Sequence, residues 1–262
     1  MKQSNMQHAG SAKAVIRIRE ISTENVWQWL SRGWRDLVQA PAQSLFYGIS
    51  LAALSIVISL SVFLSGSYYL LPLLLAGFAL IAPFLGIGPY TISQQIERGE
   101  VPSISAAFVA CARNLFHILN MGLVLVVAFL VWVMLANLIF ILFQQGLTPA
   151  TWQGFVSSLL GSWKGIQLLV VGTYVGGIVA LLVFALSVIS IPILIDRQVN
   201  LFDAISTSWR SVKKNIAPML LWAVLLASII SVGFLTLFLG LILGFPLAAH
   251  ATWHAYRDLV EQ

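Results

Sequence analysis

Charged side chains are scarce in this chain, and their absence excludes a soluble globular protein. Only 9% of the 262 residues are Asp, Glu, Lys or Arg, whereas 59% are hydrophobic. None of these four charged residue types occurs within 37–96, 114–163, 165–195 or 215–256. Because about 20 apolar residues suffice to cross a bilayer, these stretches predict pairs of membrane-spanning helices.

Cysteine and catalytic motifs are also scarce. The single cysteine, Cys111, has no partner for an intramolecular disulfide and belongs to no metal-binding spacing. No acidic or basic residue lies well inside a predicted span, which argues against ion- or proton-coupled transport. No nucleotide-binding or hydrolase motif occurs. We therefore expect neither an enzyme nor a bound cofactor.

The basic residues indicate how the chain crosses the membrane. If the spans form hairpins, all 14 Lys and Arg residues except Lys164 face the same side. The positive-inside rule makes that side cytoplasmic, so both termini are cytoplasmic and the number of spans is even. The net charge of +5 follows from this topology and from attraction to anionic lipids, so we expect no nucleic acid partner.

The predicted fold is an all-α polytopic membrane protein with six spans arranged as three hairpins. Residues 1–25 are predicted to be a mobile cytoplasmic tail, and 26–262 a single membrane domain. Asn137, inside the third span, is expected to bond a neighbouring helix. The segment 144–164 is expected to lie on the outer surface. The predicted spans are 42–64, 70–93, 117–143, 166–193, 216–234 and 237–256.

A cytoplasmic connection before the fifth span predicts an amphipathic helix on the membrane surface. At about 100° per residue, its large apolar residues cluster on one third of the helix, and polar residues cluster opposite. The apolar set is Leu201, Phe202, Ile205, Trp209 and Val212, and the polar set is Asp203, Thr207, Arg210 and Lys214.

The same pattern occurs twice more, which predicts three parallel repeats over 26–98, 104–198 and 201–262. A shift of 175 carries Val26, Trp27, Leu30, Trp34, Arg35 and Leu37 onto Leu201, Phe202, Ile205, Trp209, Arg210 and Val212. A shift of 97 carries Ile104, Ala107, Phe108, Arg113 and Leu115 onto Leu201, Ala204, Ile205, Arg210 and Val212. The alternative is that all interfacial helices share such a pattern. Eight residues are expected at the lipid interface: Trp27, Trp34, Arg35, Arg113, Trp209, Arg210, Lys213 and Lys214.

Small residues spaced four apart favour close helix packing in a membrane. Gly172 and Gly176 form such a pair in the fourth span, and Gly240 and Gly244 form another in the sixth. Lining of a pore is the alternative interpretation. Each repeat also carries a proline towards the cytoplasmic end of its second span, namely Pro83, Pro192 and Pro246.

Three histidines are candidate metal or haem ligands. His250 and His254 share a helix face because they are four residues apart, and His117 is expected at a similar depth. The alternative is an interfacial belt, because His250 and His254 flank Trp253 and stand near a helix end.

Four segments resemble those of an uncharacterised family of bacterial integral membrane proteins. They are 32–37 followed by Ala40-Pro41, 78–88, 192–197 and 250–258, so the resemblance extends over most of the chain. Some family members carry the label cytochrome c oxidase subunit I. The four histidines of this chain are too few for a haem-copper oxidase core. The resemblance implies an inner-membrane protein and no established activity.

Three functions remain open from the sequence. The first is a non-enzymatic protein of the bacterial cytoplasmic membrane that binds lipid or another membrane protein, or assists assembly. The second is a transporter or channel for a small uncharged or lipid-like solute. The third is a haem- or metal-binding electron-transfer subunit.

Overall fold

The structure, a computed structural model, describes residues 16–144 and 151–261. These residues form twelve helices and no strand beyond an isolated bridge between Ile18 and Val260, which confirms the all-α class. The helices are α1 (Thr23–Gln39), α2 (Pro41–Leu64), α3 (Leu70–Leu85), α4 (Ile87–Glu97), α5 (Ala106–Arg113), α6 (Leu115–Gln144), α7 (Trp152–Gly161), α8 (Trp163–Ser187), α9 (Ser190–Asp196), α10 (Leu201–Lys214), α11 (Ile216–Leu235) and α12 (Leu241–Leu259).

Four helical stretches of the described chain are long and apolar enough to cross a membrane, so the predicted six spans are not all confirmed. They are Pro41–Leu64, Leu115–Phe143, Trp163–Asp196 and Ile216–Leu235. The 16 residues of α3 extend about 24 Å at about 1.5 Å each, less than the hydrocarbon thickness of about 30 Å. The second half of α12 carries His250, His254, Arg257 and Asp258, which lowers its apolar character.

A proline lies shortly after the break in each of two long helices. Pro89 and Pro192 are each the third residue of a helix, α4 and α9, that follows directly on a longer one. Proline is tolerated in the first turn of a helix, where its missing N–H has no intrahelical partner. Pro246 lies inside α12 without ending it. The residues of α4 from Ile87 to Gln95 are all buried, so this extension belongs to the core.

The helices α1, α5 and α10, which begin the three predicted repeats, end in the same backbone conformation. Their C-caps are Ala40, Asn114 and Asn215, all near φ −130° with positive ψ, and each precedes a long helix. The interval from Ala40 to Asn215 is 175, as predicted. The interval from Asn114 to Asn215 is 101 rather than 97, because α5 has 8 residues and α10 has 14, so no single shift aligns both ends of these helices.

Side chains near these C-caps hold the segment that leads into the surface helix of another repeat. The Asn114 amide donates to the carbonyls of Arg197 and Val199 (3.4 and 3.1 Å), just before α10. The Asn215 amide donates to the Arg19 carbonyl (3.0 Å), and its Oδ1 accepts from the Ile21 N–H (2.9 Å), just before α1.

The first repeat completes the same pattern with residues of α2. Gln43 Nε2 donates to the Pro102 carbonyl (3.1 Å), and the Tyr47 hydroxyl donates to the Ile104 carbonyl (3.4 Å), just before α5. The bonded backbone groups lie three and one residues before the N-caps Ser22, Ser105 and Asn200 in all three repeats. Side chains of the first repeat therefore bond the segment before the second repeat's surface helix. In the same way, the second repeat bonds the segment before α10, and the third bonds the segment before α1. We call this arrangement the three-repeat ring.

The two ends of the described chain close this ring. The Arg19 N–H donates to the Leu259 carbonyl (2.9 Å), and the Glu261 N–H donates to the Arg17 carbonyl (3.2 Å). Residues 1–15 of the predicted mobile tail lie outside the described residues. The rest of that predicted tail is fixed against the C-terminal end, and α1 begins within it at Thr23.

Two of the three junctions between repeats are closed by direct helix contact. Helix α3 packs on α6, and α12 packs on α2. A Cβ placed on Gly48 of α2 would lie 2.0 Å from the Ile242 carbonyl oxygen of α12, so these two backbones touch. The equivalent pair, α8 and α11, has no comparable contact among the described residues. The third junction is therefore open.

Candidate functional site

A buried polar cluster joins four helices at the end of the bundle where α1, α5 and α10 lie. We call it the histidine cluster: Asp36 of α1, Ser44 of α2, Ser93 of α4, and His250 and His254 of α12. Ser44 Oγ lies 2.9 Å from His250 Nε2, and Ser93 Oγ lies 2.8 Å from His250 Nδ1. Asp36 Oδ2 lies 2.6 Å from Ser93 Oγ and 2.8 Å from His254 Nε2.

The directions of these hydrogen bonds follow from the donors available. Ser93 has one hydroxyl hydrogen and donates it to the Asp36 carboxylate. It therefore accepts from Nδ1–H of His250, which leaves Nε2 to accept from the Ser44 hydroxyl. His250 and Ser44 are fully buried. The cluster lines none of the cavities described below, so its arrangement fixes α12 against α1, α2 and α4 rather than exposing a nucleophile.

The three candidate metal ligands do not come together. Both ring nitrogens of His250 are hydrogen-bonded to serine hydroxyls, whereas His117 Nδ1 accepts from the Leu201 N–H at 3.3 Å beside α10. Within residues 16–144 and 151–261, no group of three or more His, Cys, Asp or Glu side chains is arranged to hold a metal ion.

A second polar cluster joins α4, α9 and α12, which belong to the second predicted span of each repeat. Asp196 of α9 accepts from Gln94 Nε2 of α4 (2.8 Å) and from the Tyr256 hydroxyl of α12 (2.6 Å). Arg257 of α12 lies 3.4 Å from Asp196 and pairs with Glu97 of α4 at 2.7 Å. Charged residues at the ends of α4, α9 and α12 are therefore partners of one another.

A third set of contacts seats α1 on α12. Asp258 accepts from the Trp29 indole N–H at 2.8 Å and forms an ion pair with Arg32. A Cβ on Gly33 would lie 2.7 Å from the Ala251 backbone nitrogen, so glycine permits this approach. The surface helix α1 therefore lies tightly against the bundle.

The predicted interface residues lie on the outer sides of the surface helices. Trp27, Trp34 and Trp209 are about half exposed, and the predicted cations are exposed except Arg210, which is partly buried. The polar face of α10 differs from the prediction, because Thr207 is fully buried with Ala204 and Ser211. Small residues on that face allow α10 to pack under the break between α8 and α9.

The four predicted packing glycines have different surroundings. A Cβ on Gly176 would lie 2.9 Å from the Trp132 ring of α6, and one on Gly244 would lie 2.9 Å from Ile229 Cγ2 of α11. Gly240 faces Thr236 in its own turn, at 2.6 Å. A Cβ on Gly172 would meet nothing within 4 Å, so the packing prediction is wrong at Gly172, which lines a cavity.

Asn137 also differs from the prediction. Its amide donates to the Val133 carbonyl of its own helix at 2.8 Å rather than to a neighbouring helix. The predicted outer segment 144–164 lies partly outside the described residues. Its described part contains α7, which packs on α8.

An apolar cavity of about 560 Å³ fills the open junction between α8 and α11. It reaches inward to α3 and α12, so helices of all three repeats contribute to its wall. The hydroxyls of Ser187 and Thr252 in the wall donate to carbonyls of their own helices. The residues of the two facing helices in its wall include Gly177, Ala180, Phe184, Ala223, Ala227 and Phe234.

A second apolar cavity of about 430 Å³ lies between α3, α6, α7 and α8. It includes Gly172 and Phe155, and it shares Ala76, Gly177 and Ala180 with the first cavity. The two cavities therefore adjoin along the inner face of α8. Sequence reasoning missed both, because they depend on which helices separate.

Residues 70–196, from α3 to the end of α9, match a family described as predicted integral membrane protein (DUF2189). The chain is an integral membrane protein. The match confirms the resemblance to an uncharacterised family of such proteins, and the cytochrome c oxidase label finds no support in it. Searches of curated proteins and of solved structures find no match.

Proposed function

We propose that the protein is a non-enzymatic lipid-binding protein of the bacterial cytoplasmic membrane. One lipid acyl chain occupies the cavity between α8 and α11. The observation that carries this proposal is the open junction in the three-repeat ring, where the other two junctions are closed by helix contact.

The size and lining of the cavity favour an acyl chain. Its volume of about 560 Å³ lies within the usual range for small-molecule sites, about 300–1,000 Å³. A spanning helix about 10 Å wide and 30 Å long fills roughly 2,400 Å³, which is far more than this cavity offers. Ala227, on the α11 wall, is exposed to the surroundings of the bundle, so a chain can enter from the bilayer.

The proposed arrangement has six membrane-crossing segments in three hairpins, with both termini cytoplasmic. The bent pair α3 and α4 forms the second segment, and α12 forms the sixth. The polar residues of α12 tolerate this position because His250 is buried, and His254, Arg257 and Asp258 are partly buried, against other helices, where protein rather than lipid satisfies them.

Bound lipid tests the acyl-chain site. Ala227→Trp and Ala180→Trp fill the cavity, and Val127→Trp adds the same ring to an exposed position on α6. We expect the purified wild type and Val127→Trp to retain one lipid per chain by native mass spectrometry, and the cavity variants to lose it at least tenfold. Equal lipid retention in all four proteins would contradict the proposal.

Cysteine labelling tests the topology in a Cys111→Ser background. A cysteine at Ser157 of α7 should react with a membrane-impermeant maleimide in intact cells, and one at Gln198 only after lysis. The reverse pattern would refute the orientation.

A transporter for a lipid-like solute is the second candidate, because the two apolar cavities adjoin at Ala76, Gly177 and Ala180. In liposomes, the protein would then move a fluorescent phospholipid between leaflets, and Ala180→Trp would abolish that movement. No acceleration over protein-free liposomes would exclude this candidate and leave lipid binding.

A further inference from the structure

A polar cleft of about 870 Å³ lies between the start of α10 and the point where α5 passes into α6. We call it the basic cleft. Its wall contains two arginines, Arg113 at the end of α5 and Arg210 on α10, together with uncharged polar side chains. The polar residues that line it are Asn114, His117, Gln198, Asn200, Ser206 and Thr207, with Asp203.

The two arginines have guanidinium groups that can bind a ligand. Among the described residues neither forms an ion pair, and the only bond of Arg210 is a long one of 3.4 Å from Nε to the Ser206 carbonyl. Guanidinium groups match the oxygens of a phosphate in charge and in geometry. Two of them across one cleft can hold a phosphate from both sides.

His117 adds a neutral donor. Its Nδ1 accepts from the Leu201 N–H, so the hydrogen of the neutral ring is on Nε2, which is available to donate. Asn114 and His117 also mark the first turn of α6, a 30-residue helix whose first N–H groups have no partner within the helix.

The acidic residue that lines the cleft is Asp203, near the start of α10. Asp203 stands in the first turn of α10, where its N–H donates to the Asn200 side chain at 2.8 Å. A carboxylate there stabilises the positive end of the helix dipole. Further positive charge comes from the adjoining cleft, which shares Arg210 and contains Arg17, Lys213 and Lys214 against Glu261.

We propose that the basic cleft binds the phosphate of an anionic lipid headgroup. A lipid is favoured over a soluble phosphate compound because two large aromatic side chains flank the cleft in exposed positions. Phe116, next to His117, is 72% exposed, and Phe202, next to Leu201, is 81% exposed. Exposed aromatic side chains on a surface helix lie at the boundary between lipid headgroups and acyl chains, where neighbouring arginines can reach the headgroups.

This inference rests on the proposed position of α5 and α10 at the membrane surface, but not on the acyl-chain cavity. Binding of phosphatidic acid to the full-length protein in neutral detergent tests it, with phosphatidylcholine and inorganic phosphate as parallel probes. The variants are Arg113→Gln/Arg210→Gln and the charge-preserving Arg113→Lys/Arg210→Lys. Arg35→Gln removes one exposed cation on α1, outside the cleft, and Ala227→Trp fills the separate cavity.

We expect the wild type, Arg35→Gln and Ala227→Trp to bind phosphatidic acid alike. The Gln double variant should bind at least tenfold more weakly, because a charge-assisted hydrogen bond contributes about a factor of ten or more. The Lys double variant keeps the charge and retains intermediate affinity, so it supports the site even if the Gln variant misfolds.

Four results would overturn the proposal. Wild-type affinity for phosphatidic acid in both double variants would show that the two arginines do not bind the phosphate. A loss of affinity in Arg35→Gln equal to that in the Gln double variant would indicate diffuse electrostatic attraction rather than a site. Inorganic phosphate binding as tightly as phosphatidic acid would exclude a lipid as the source. Loss of phosphatidic acid binding in Ala227→Trp with wild-type affinity in the Gln variant would assign that lipid to the cavity instead.

Discussion

Replacement of Asn215 by alanine tests the three-repeat ring most directly. The Asn215 side chain is almost fully buried and bonds the Arg19 carbonyl and the Ile21 N–H at 3.0 and 2.9 Å. It also donates to Ser211 in its own helix. The first two bonds join the start of α11 to the segment before α1, so they belong to the contact that closes the ring between the third and first repeats.

The expected loss follows from these bonds. Each intramolecular hydrogen bond contributes about 1 kcal/mol net, and a buried partner left without one costs about 1–3 kcal/mol. Asn215→Ala should therefore lower the free energy of unfolding by about 2–4 kcal/mol. At roughly 2–4 °C per kcal/mol for a chain of this size, the unfolding temperature falls on the order of 10 °C.

Asn120→Ala is the matched control. Its amide donates only to the Phe116 carbonyl one turn earlier in α6, at 2.7 Å, so no contact between repeats is lost. Thermal unfolding in detergent, followed by the fluorescence of the nine tryptophans, measures both variants. Hydrogen exchange should increase at residues 19–21 in Asn215→Ala alone. Equal unfolding temperatures and equal exchange in the two variants would refute the ring.

Three further predictions concern single positions. Gly48→Ala should prevent stable folding, because its Cβ would lie 2.0 Å from the Ile242 carbonyl oxygen, whereas Gly172→Ala meets nothing within 4 Å and should unfold like the wild type. Asp258→Asn breaks a partly exposed ion pair between α1 and α12. The free energy of unfolding should fall by roughly 1 kcal/mol in the same assay. No decrease would mean that apolar contacts alone hold α1 on α12. Burial raises the pKa of the Cys111 thiol, so its thiolate forms at higher pH, and iodoacetamide should react more slowly with folded than with unfolded protein at pH ~8. That difference should narrow as the pH rises through the folded pKa, and equal rates at every pH would contradict this.

The apolar pattern predicted the long helices closely. The predicted span 42–64 is the helix Pro41–Leu64, and 216–234 is Ile216–Leu235. Such agreement arises because runs of apolar residues without charge have few alternatives to a helix in a membrane. The apolar pattern did not predict the breaks between α3 and α4 at Gly86 and between α8 and α9 at 188–189. A proline in the first turn of a helix does not reveal whether the preceding helix continues or ends.

The polar clusters could not be predicted from spacing. Ser44 and His250 are 206 residues apart, and Asp36 and His254 are 218 apart. His250 and His254 stood out in the sequence because they share a helix face. Nothing in the sequence indicated that Ser44 and Ser93 would occupy both nitrogens of His250, so the sequence left a ligand role and an interfacial role as alternatives there.

By itself, the sequence determined that the chain is apolar and helical, because long runs without charge have few alternatives to a helix in a membrane. The three repeats were predicted from the recurring pattern of surface helices. Tertiary structure decided which repeat bonds the segment before which surface helix. The bonding side chains are Asn114, Asn215, Gln43 and Tyr47. It also decided where the ring stays open. Gly48 and Gly172 are both glycines in apolar helices, but one touches a backbone and the other faces a cavity. That difference depends on the separation of helices far apart in sequence, which the pattern of one helix does not contain.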